Sequence, residues 1–538
     1  MLVEVAASGS DTSPPRRGRA TAWAVAEVAL IVGVFFLHGG WPVPDVNEAH
    51  YLAKARHYWD PEWLAGDFFL ESADAHLVFY WVFGWLTLLA PLPVLAWIGR
   101  LATWILLACA WRALSWAIVA RPLASVVSAA LFVSATEHLH MSGEWVVGGL
   151  EAKGPAYALV FFGLAHLVRN RWNAALACLG AATALHVLVG GWTLVAVAAA
   201  WLSLGDAPPL RRIVPGCVMA LVFALPGVIP ALRLSQGVEP PVAQHAHAIY
   251  VFHRLAHHLN PIPTGQPQDA PAIRPIFQVR HAALLAGWLL LYAALPASAA
   301  VRRLARVVLA ASAIAVVGFL LAAALHEYRT LAATVLRLYW FRLSDALLPA
   351  GAALTGCAAW PPLLRYRPAL ATLLLAGAFA AVSLHLGHVV WQRIERPWPR
   401  DVATNAQQYR QWLEVCSQAR QLTPEDARFV VPRWAATFRW YAQRPCIGTW
   451  KDLPQDAAHI VAWWQRMRDL ADAGLAGTAP PQAAPEAALR RLGRKYAASY
   501  VLIPPQWRGD RPLRLPLLYD GGRNGWAIFR LDPLQPGK

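Results

Sequence analysis

The chain alternates long apolar runs with short polar breaks before its character changes near residue 395. Runs of membrane-spanning length lie at about 21–39, 97–119, 122–139, 153–168, 172–188, 190–204, 213–232, 281–297, 304–325, 343–360 and 368–390. This predicts about eleven transmembrane helices. A further stretch, 77–95, carries Tyr80, Trp81, Trp85, Pro91 and Pro93. Two prolines in an aromatic-rich segment suit a tilted or interfacial helix better than a clean span. Beyond 395 the pattern turns charged and mixed. Helical periodicity is expected at Asn405–Arg420, Ala457–Leu470 and Pro485–Lys495, and alternating strands at Ala427–Val431, Ser499–Ile503, Leu515–Tyr519 and Trp526–Leu531. The Gly, Ala and Pro content of Ala473–Pro485 predicts a flexible loop. The expected architecture is an all-α polytopic membrane protein with a small C-terminal α/β soluble domain. Its expected divisions are a cytoplasmic tail (1–20), a transmembrane domain (21–394) and an extracytoplasmic domain (395–538).

Charge placement sets the expected topology. Lys and Arg gather in cytoplasmic connections. With the Arg16-Arg17-Gly18-Arg19 cluster inside and 77–95 not crossing, each inward connection is basic: Arg121, Arg169 with Arg171, Arg211-Arg212, Arg302-Arg303 with Arg306, and Arg365 with Arg367. The outward connections are then 40–96, 140–152, 189–190, 233–280 and 326–342, with the tail also outside. Acids and histidines collect on that side, among them Glu137. The net charge of +16 is spread over short loops rather than one stripe, which argues for lipid headgroups and against nucleic acid. Of six cysteines only Cys416 and Cys446 lie in the polar tail, where they could pair; no zinc spacing appears.

Ionisable groups held against hydrocarbon are candidate functional residues. The first outer loop offers Asp45, Asn47, Glu48, His50 and Tyr51, then Asp74 and His76. A carboxylate there could accept a proton or hold a metal, whereas Asp45 or Asn47 could cap a helix starting near Glu48, and Ser72 or Asp74 a second one. Glu144, Glu151 and Lys153 flank the second outer turn, although Glu151 at a helix start is also simply favourable with the helix dipole. His186 sits near the outer end of its helix. Arg329, Arg337 and Arg342 lie in the last large outer connection, where Arg suits phosphate oxygens, with an Arg342–Asp345 helix pair as the structural alternative. His245, His247, His253, His257 and His258 have partial metal spacing but fit better an amphipathic helix lying on the membrane with its His and Arg254 toward water. Arg100 and Arg112 lie inside a span and pair internally or snorkel.

The layout resembles that of polyprenyl-phosphate-sugar-dependent membrane glycosyltransferases of the GT-C superfamily. Asn47-Glu48-Ala49-His50-Tyr51 is similar to an Asp-Glu-x-x-Tyr pattern in the first loop of its protein-mannosyltransferase-like branch. The resemblance spans about residues 21–390 and implies a bacterial inner-membrane enzyme. That enzyme would take a polyprenyl-phosphate-linked sugar from the lipid bilayer to an extracytoplasmic acceptor. Asn47 stands where the family has an acid, so Asp45 or Glu48 would serve as base. Arg329, Arg337, Arg342 or Lys153 would stabilise the departing phosphate, and His50, Tyr51, Asp74, His76, Glu144, Glu151 and His186 would line the substrate site. No metal ligand is assigned and a divalent cation is left open. Asp426-Ala427-Arg428-Phe429 with Pro432-Arg433, and Trp450-Lys451-Asp452-Leu453-Pro454, resemble stretches that recur in the tails of bacterial multipass proteins of this plan; they bring no activity with them. A transporter or flippase for a lipid-linked or anionic solute, and a non-catalytic envelope assembly protein, stay open beside this reading. Transport is disfavoured by the lack of an internal repeat and by ionisable groups at the outer end rather than mid-membrane.

Overall fold

The structure, a computed structural model, describes residues 17–295, 297–399, 403–477, 486–507, 513–522 and 525–531. The apolar runs form helices α1 (Arg17–Gly39), α4 (Leu92–Ile118), α5 (Ala124–Leu139), α6 (Lys153–Val168), α7 (Trp172–Leu185), α8 (Val187–Ser203) and α9 (Leu210–Arg233), then α12 (Pro275–Ala293), α13 (Ala299–Ala324), α15 (Arg342–Tyr366) and α16 (Pro368–Glu395). Each of the eleven expected spans is therefore helical. Among the described residues seven of these (α1, α4, α9, α12, α13, α15 and α16) are long and apolar enough to cross a membrane unaided. The other four have 14 to 17 residues. The chain is a multipass membrane protein.

Local sequence explains two departures. The stretch 77–95 is not one helix: α3 (Leu77–Phe83) tightens into a 3-10 turn, Gly84–Leu88, and α4 starts at Leu92 rather than 97. Pro91 stands at the N-cap of α4, and Pro93 fits its first turn, where a missing N–H costs nothing. The break between α7 and α8 falls at His186, not at 189–190: His186 is extended (φ −148°, ψ 99°). A Cβ on Gly190 would lie 2.2 Å from the Thr183 nitrogen, so the chain can fold back there only with glycine.

The shorter helices outside the spans are α2 (Glu48–Trp59), α10 (Pro240–Ala248), α11 (Ala256–Leu259), α14 (Arg329–Leu336), α17 (Ala406–Leu422), α18 (Phe438–Ala442), α19 (Ala457–Asp472) and α20 (Glu486–Tyr496). The membrane core packs Trp104, Trp111, Phe132 and Phe161, with Trp111 stacked on Phe132 at 4.6 Å.

The tail is a three-layer unit. Strands β1 (Phe429–Val430), β2 (Tyr500–Ile503), β3 (Leu517–Asp520) and β4 (Ala527–Arg530) form a sheet in the order β1-β2-β4-β3. The β1–β2 pair is parallel; β2–β4 and β3–β4 are antiparallel. Alternate strand residues face opposite sides. Phe429, Leu502 and Ile528 pack with Trp412 of α17 and Phe438 of α18. Val430, Val501, Ile503, Ala527 and Phe529 pack with Trp463 of α19 and Leu489 of α20. Cys416 and Cys446 are buried and unpaired by disulfide. Of the expected loop Ala473–Pro485, residues 473–477 form a turn with Ala473 and Leu475 buried, and the remainder lies outside the described residues.

The histidine-rich segment corrects another expectation. Its apolar face packs on the protein rather than being left for a bilayer. Helix α10 runs into a π-helical turn, Ile249–Arg254, and this unit packs between α14 and the tail. His253 stacks on Trp464 (4.9 Å, 8° between planes), and Arg254 donates to the Trp450 carbonyl. Burial of Ile249, Val251 and Phe252 decides its position.

Candidate functional site

Three polar clusters, all joined to the first loop between α1 and α4, hold most of the expected site residues. The first is centred on Glu48, in the first turn of α2. Its carboxylate is fully buried and receives Nε and Nη2 of Arg100, a two-pronged pair from α4. Oε1 also accepts from Leu150 N (2.8 Å), in the second loop, and Oε2 from Asp45 N (2.8 Å). The Arg100 Nη1 donates to the Trp41 carbonyl. Both oxygens are thus satisfied, and the pair ties the first loop, the second loop and α4 together. Arg112 pairs likewise with buried Glu27 of α1 (2.7 Å). Neither residue snorkels; each is neutralised inside the helix bundle.

The second cluster gathers groups from four segments. Asp345, in the first turn of α15, accepts from the backbone N–H groups of Met141 (2.6 Å), Ser142 (2.8 Å) and Glu144 (3.2 Å). It thereby fixes the second loop instead of pairing with Arg342. The Arg342 Nε lies 3.0 Å from Glu144 Oε2, and its Nη1 lies 3.2 Å from His186 Nε2. The Lys153 Nζ is 3.1 Å from Glu151 and 3.7 Å from Glu144. Asn47 does not cap α2; its Nδ2 donates to Glu151 Oε2 (2.7 Å). His76 stands between His186 and Tyr51, with ring centroids at 5.0 and 5.4 Å. Two cations thus face two carboxylates in a largely buried setting. Burial raises the Glu151 carboxyl above its ordinary range against the pull of Lys153, and lowers His76 to about 3.

The third cluster locks the tail onto the first loop. Buried Arg439 of α18 pairs with Asp67 (3.0 Å) and with Asp452. Asp67 also accepts from Cys446 N (2.9 Å) and Phe69 N (3.0 Å). His50 of α2 meets Asp452 at 3.2 Å. Burial opposes the charge on Asp452, yet Arg439 and His50 hold its carboxyl well below the usual carboxylate range. Ser72 and Asp74 cap no helix: both bind Lys54, whose Nζ lies 2.8 Å from Asp74 and 2.9 Å from Ser72 Oγ. Burial shifts both partners toward neutrality, Lys54 down and Asp74 up.

Asp45 has a different setting. With Glu144 it lines a cavity of about 230 Å³ whose polar lining also includes Thr136, Glu137, His140, His38 and Gln392. Arg329 and Arg337 have partners elsewhere. Arg329 forms a two-pronged pair with Asp269 (2.6 and 2.7 Å), and Arg337 contacts His247 (2.6 Å), so both hold the 240–275 connection. Among the described residues no three His, Cys, Asp or Glu side chains converge as a metal-ligand set.

Comparison with known proteins adds the following. A family described as a domain of unknown function, DUF6798, matches residues 410–470, the part of the tail that carries Arg439 and Asp452. No curated protein matches significantly. The chain is similar to the solved structure of ArnT from Cupriavidus metallidurans bound to undecaprenyl phosphate. That likeness has 14% identity and a TM-score of 0.48, over 96% of this chain and 99% of that one. It is similar also to the archaeal oligosaccharyltransferase AglB from Archaeoglobus fulgidus, in complex with an inhibitory peptide and a dolichol-phosphate. Here identity is 12% and the TM-score 0.45, over 90% of this chain and 70% of that one.

Sequence reasoning left Arg100 unassigned and did not single out His38, His140, Asp67, Arg439 or Glu27. An ionisable residue inside an apolar run was the available signal for Arg100 and Glu27. The tail residues carry no such mark.

The buried histidines generate a pH prediction. Folded His76 takes a proton only near pH 3, whereas in the unfolded chain it does so near 6.5; His258 is lowered to about 3 as well. Between those values the unfolded chain binds more protons, so their stabilising contribution is complete above pH 6.5 and drains away as pH falls toward 3. The midpoint of thermal unfolding is expected to drop over that window, and less steeply in a His76→Asn, His258→Asn double variant. An identical slope in the variant would remove these residues from the acid sensitivity.

Proposed function

We propose that this protein is a membrane glycosyltransferase that moves a sugar from a polyprenyl-phosphate donor to an acceptor on the non-cytoplasmic side. The observation that carries the reading is the cavity shared by Asp45 and Glu144, with Lys153 and Arg342 held against Glu144. The first-loop resemblance adds to it. Transfer needs a carboxylate to take the acceptor's hydroxyl proton and cations to oppose the charge that develops on the leaving phosphate. Asp45 is the base in this reading. Glu48 is not, because Arg100 and two backbone N–H groups already hold both of its oxygens. Glu48 instead positions Asp45 through the Asp45 N–H. Lys153 and Arg342 meet the donor phosphate, and a single displacement inverts the anomeric carbon.

The full-length protein, incubated with radiolabelled polyprenyl-phosphate sugars with and without divalent cations, is expected to release the sugar to an acceptor or to water. Asp45→Asn is expected to slow this by about a hundredfold or more while the protein still folds. Wild-type turnover in that variant would exclude Asp45 as base.

The basic inward connections support a cytoplasmic N-terminus and an outward tail in the bacterial inner membrane. A reporter fused after Lys538 is then active only outside the cytoplasm. Activity confined to the cytosol would put the cavity on the wrong side for this reading.

A further inference from the structure

Three histidines from three helices form a chain of hydrogen bonds beside the cavity. The His38 Nδ1, near the end of α1, lies 3.0 Å from His385 Nε2 of α16. The His385 Nδ1 lies 3.0 Å from His138 Nε2, near the end of α5. His38 lines the cavity together with Asp45; His385 is only 5% exposed; His138 is exposed at the molecular surface. The chain therefore runs from the cavity through the protein interior to an exposed ring near the end of α5. The central ring presents a different nitrogen to each neighbour, so the three imidazoles do not converge on one point as metal ligands do.

We propose that His38, His385 and His138 are a proton relay that drains the cavity. The inference rests on the glycosyl-transfer reading, because it supplies an exit for the proton that transfer releases. As the acceptor oxygen bonds to the anomeric carbon, the carbon–phosphate oxygen bond breaks with its electron pair, and the acceptor's proton passes to Asp45. A polar cavity of this size has room for water to carry that proton to His38 Nε2. The Nδ1 proton of His38 then moves to His385 Nε2, that of His385 Nδ1 moves to His138 Nε2, and the Nδ1 proton of His138 leaves to solvent. One proton enters and one leaves. Each ring ends neutral with its tautomer reversed, and ring rotation resets the chain. Both neutral patterns place one hydrogen in each N···N contact, which a 3.0 Å spacing accommodates.

The test uses full-length protein in lipid nanodiscs and has two arms. With ¹⁵N-histidine labelling, magnetic resonance is expected to find His385 neutral and scalar-coupled through N–H···N bonds to both His38 and His138. Absence of either coupling would overturn the relay. In the second arm a radiolabelled polyprenyl-phosphate sugar is the donor and water the acceptor. The His385→Phe variant is expected to turn over about tenfold or more slowly at unchanged KM, and added imidazole is expected to restore the rate. A purely packing role for His385 would give a loss that imidazole does not repair, and that result, or wild-type turnover, would overturn the relay. A wild-type protein inert on every donor would instead overturn the transfer reading, and the relay's purpose with it, even where the first arm finds the couplings.

Discussion

The fully buried pair between Glu48 and Arg100 is the constraint on which the loop-bearing end of this protein depends. An arginine in an apolar helix is costly to bury without a partner, and the partner comes from the loop that follows α1. Once made, the pair dictates more than its own position. The two oxygens of Glu48 also receive the backbone of Asp45 and of Leu150, so the first and second loops are both set by one side chain. A Cβ at Gly149 would fall 2.8 Å from Glu48 Cγ, which leaves glycine as the residue that allows this approach. The consequence for chemistry is a division of labour within four residues. Glu48 is held on both oxygens by Arg100 and two backbone N–H groups, whereas Asp45 lines the cavity.

The tail domain completes that arrangement from the other side. Asp67 and Asp452 approach each other only because Arg439 stands between them, and Asp452 also holds His50 on α2, the residue next to Tyr51. Backbone contacts add to the grip: Ala73 N donates to Asp456 and Ala75 N to Gln455. Breaking such a network by removing one partner leaves a buried charge without compensation, a loss on the order of 3–5 kcal/mol. The tail is thus part of the frame that carries the first loop.

Much of this fold could be read from the sequence because its elements follow from local patterns. The apolar runs became helices, and the alternation Tyr500–Ile503 became a strand within one residue of expectation, since burial on one or both faces leaves a periodic trace. What could not be read depends on distant partners. Asn47 looked like a cap and instead reaches Glu151; Arg342 looked like the partner of Asp345 and instead reaches Glu144. The histidine-rich segment has the composition of a surface helix, but its apolar residues meet the tail and α14. In each case a long-range contact overrode a plausible local one. Only the folded chain separates Glu48 from Asp45, and sends Arg329 and Arg337 to Asp269 and His247.

The most direct measurement is a double-mutant cycle on unfolding free energy in detergent, using Glu48→Gln, Arg100→Met and the two together. If the pair is the central pin, each single change costs about 3–5 kcal/mol, and the double costs less than their sum by about 2 kcal/mol or more. Simple additivity, with each change acting as though the other residue were absent from its surroundings, would contradict the account.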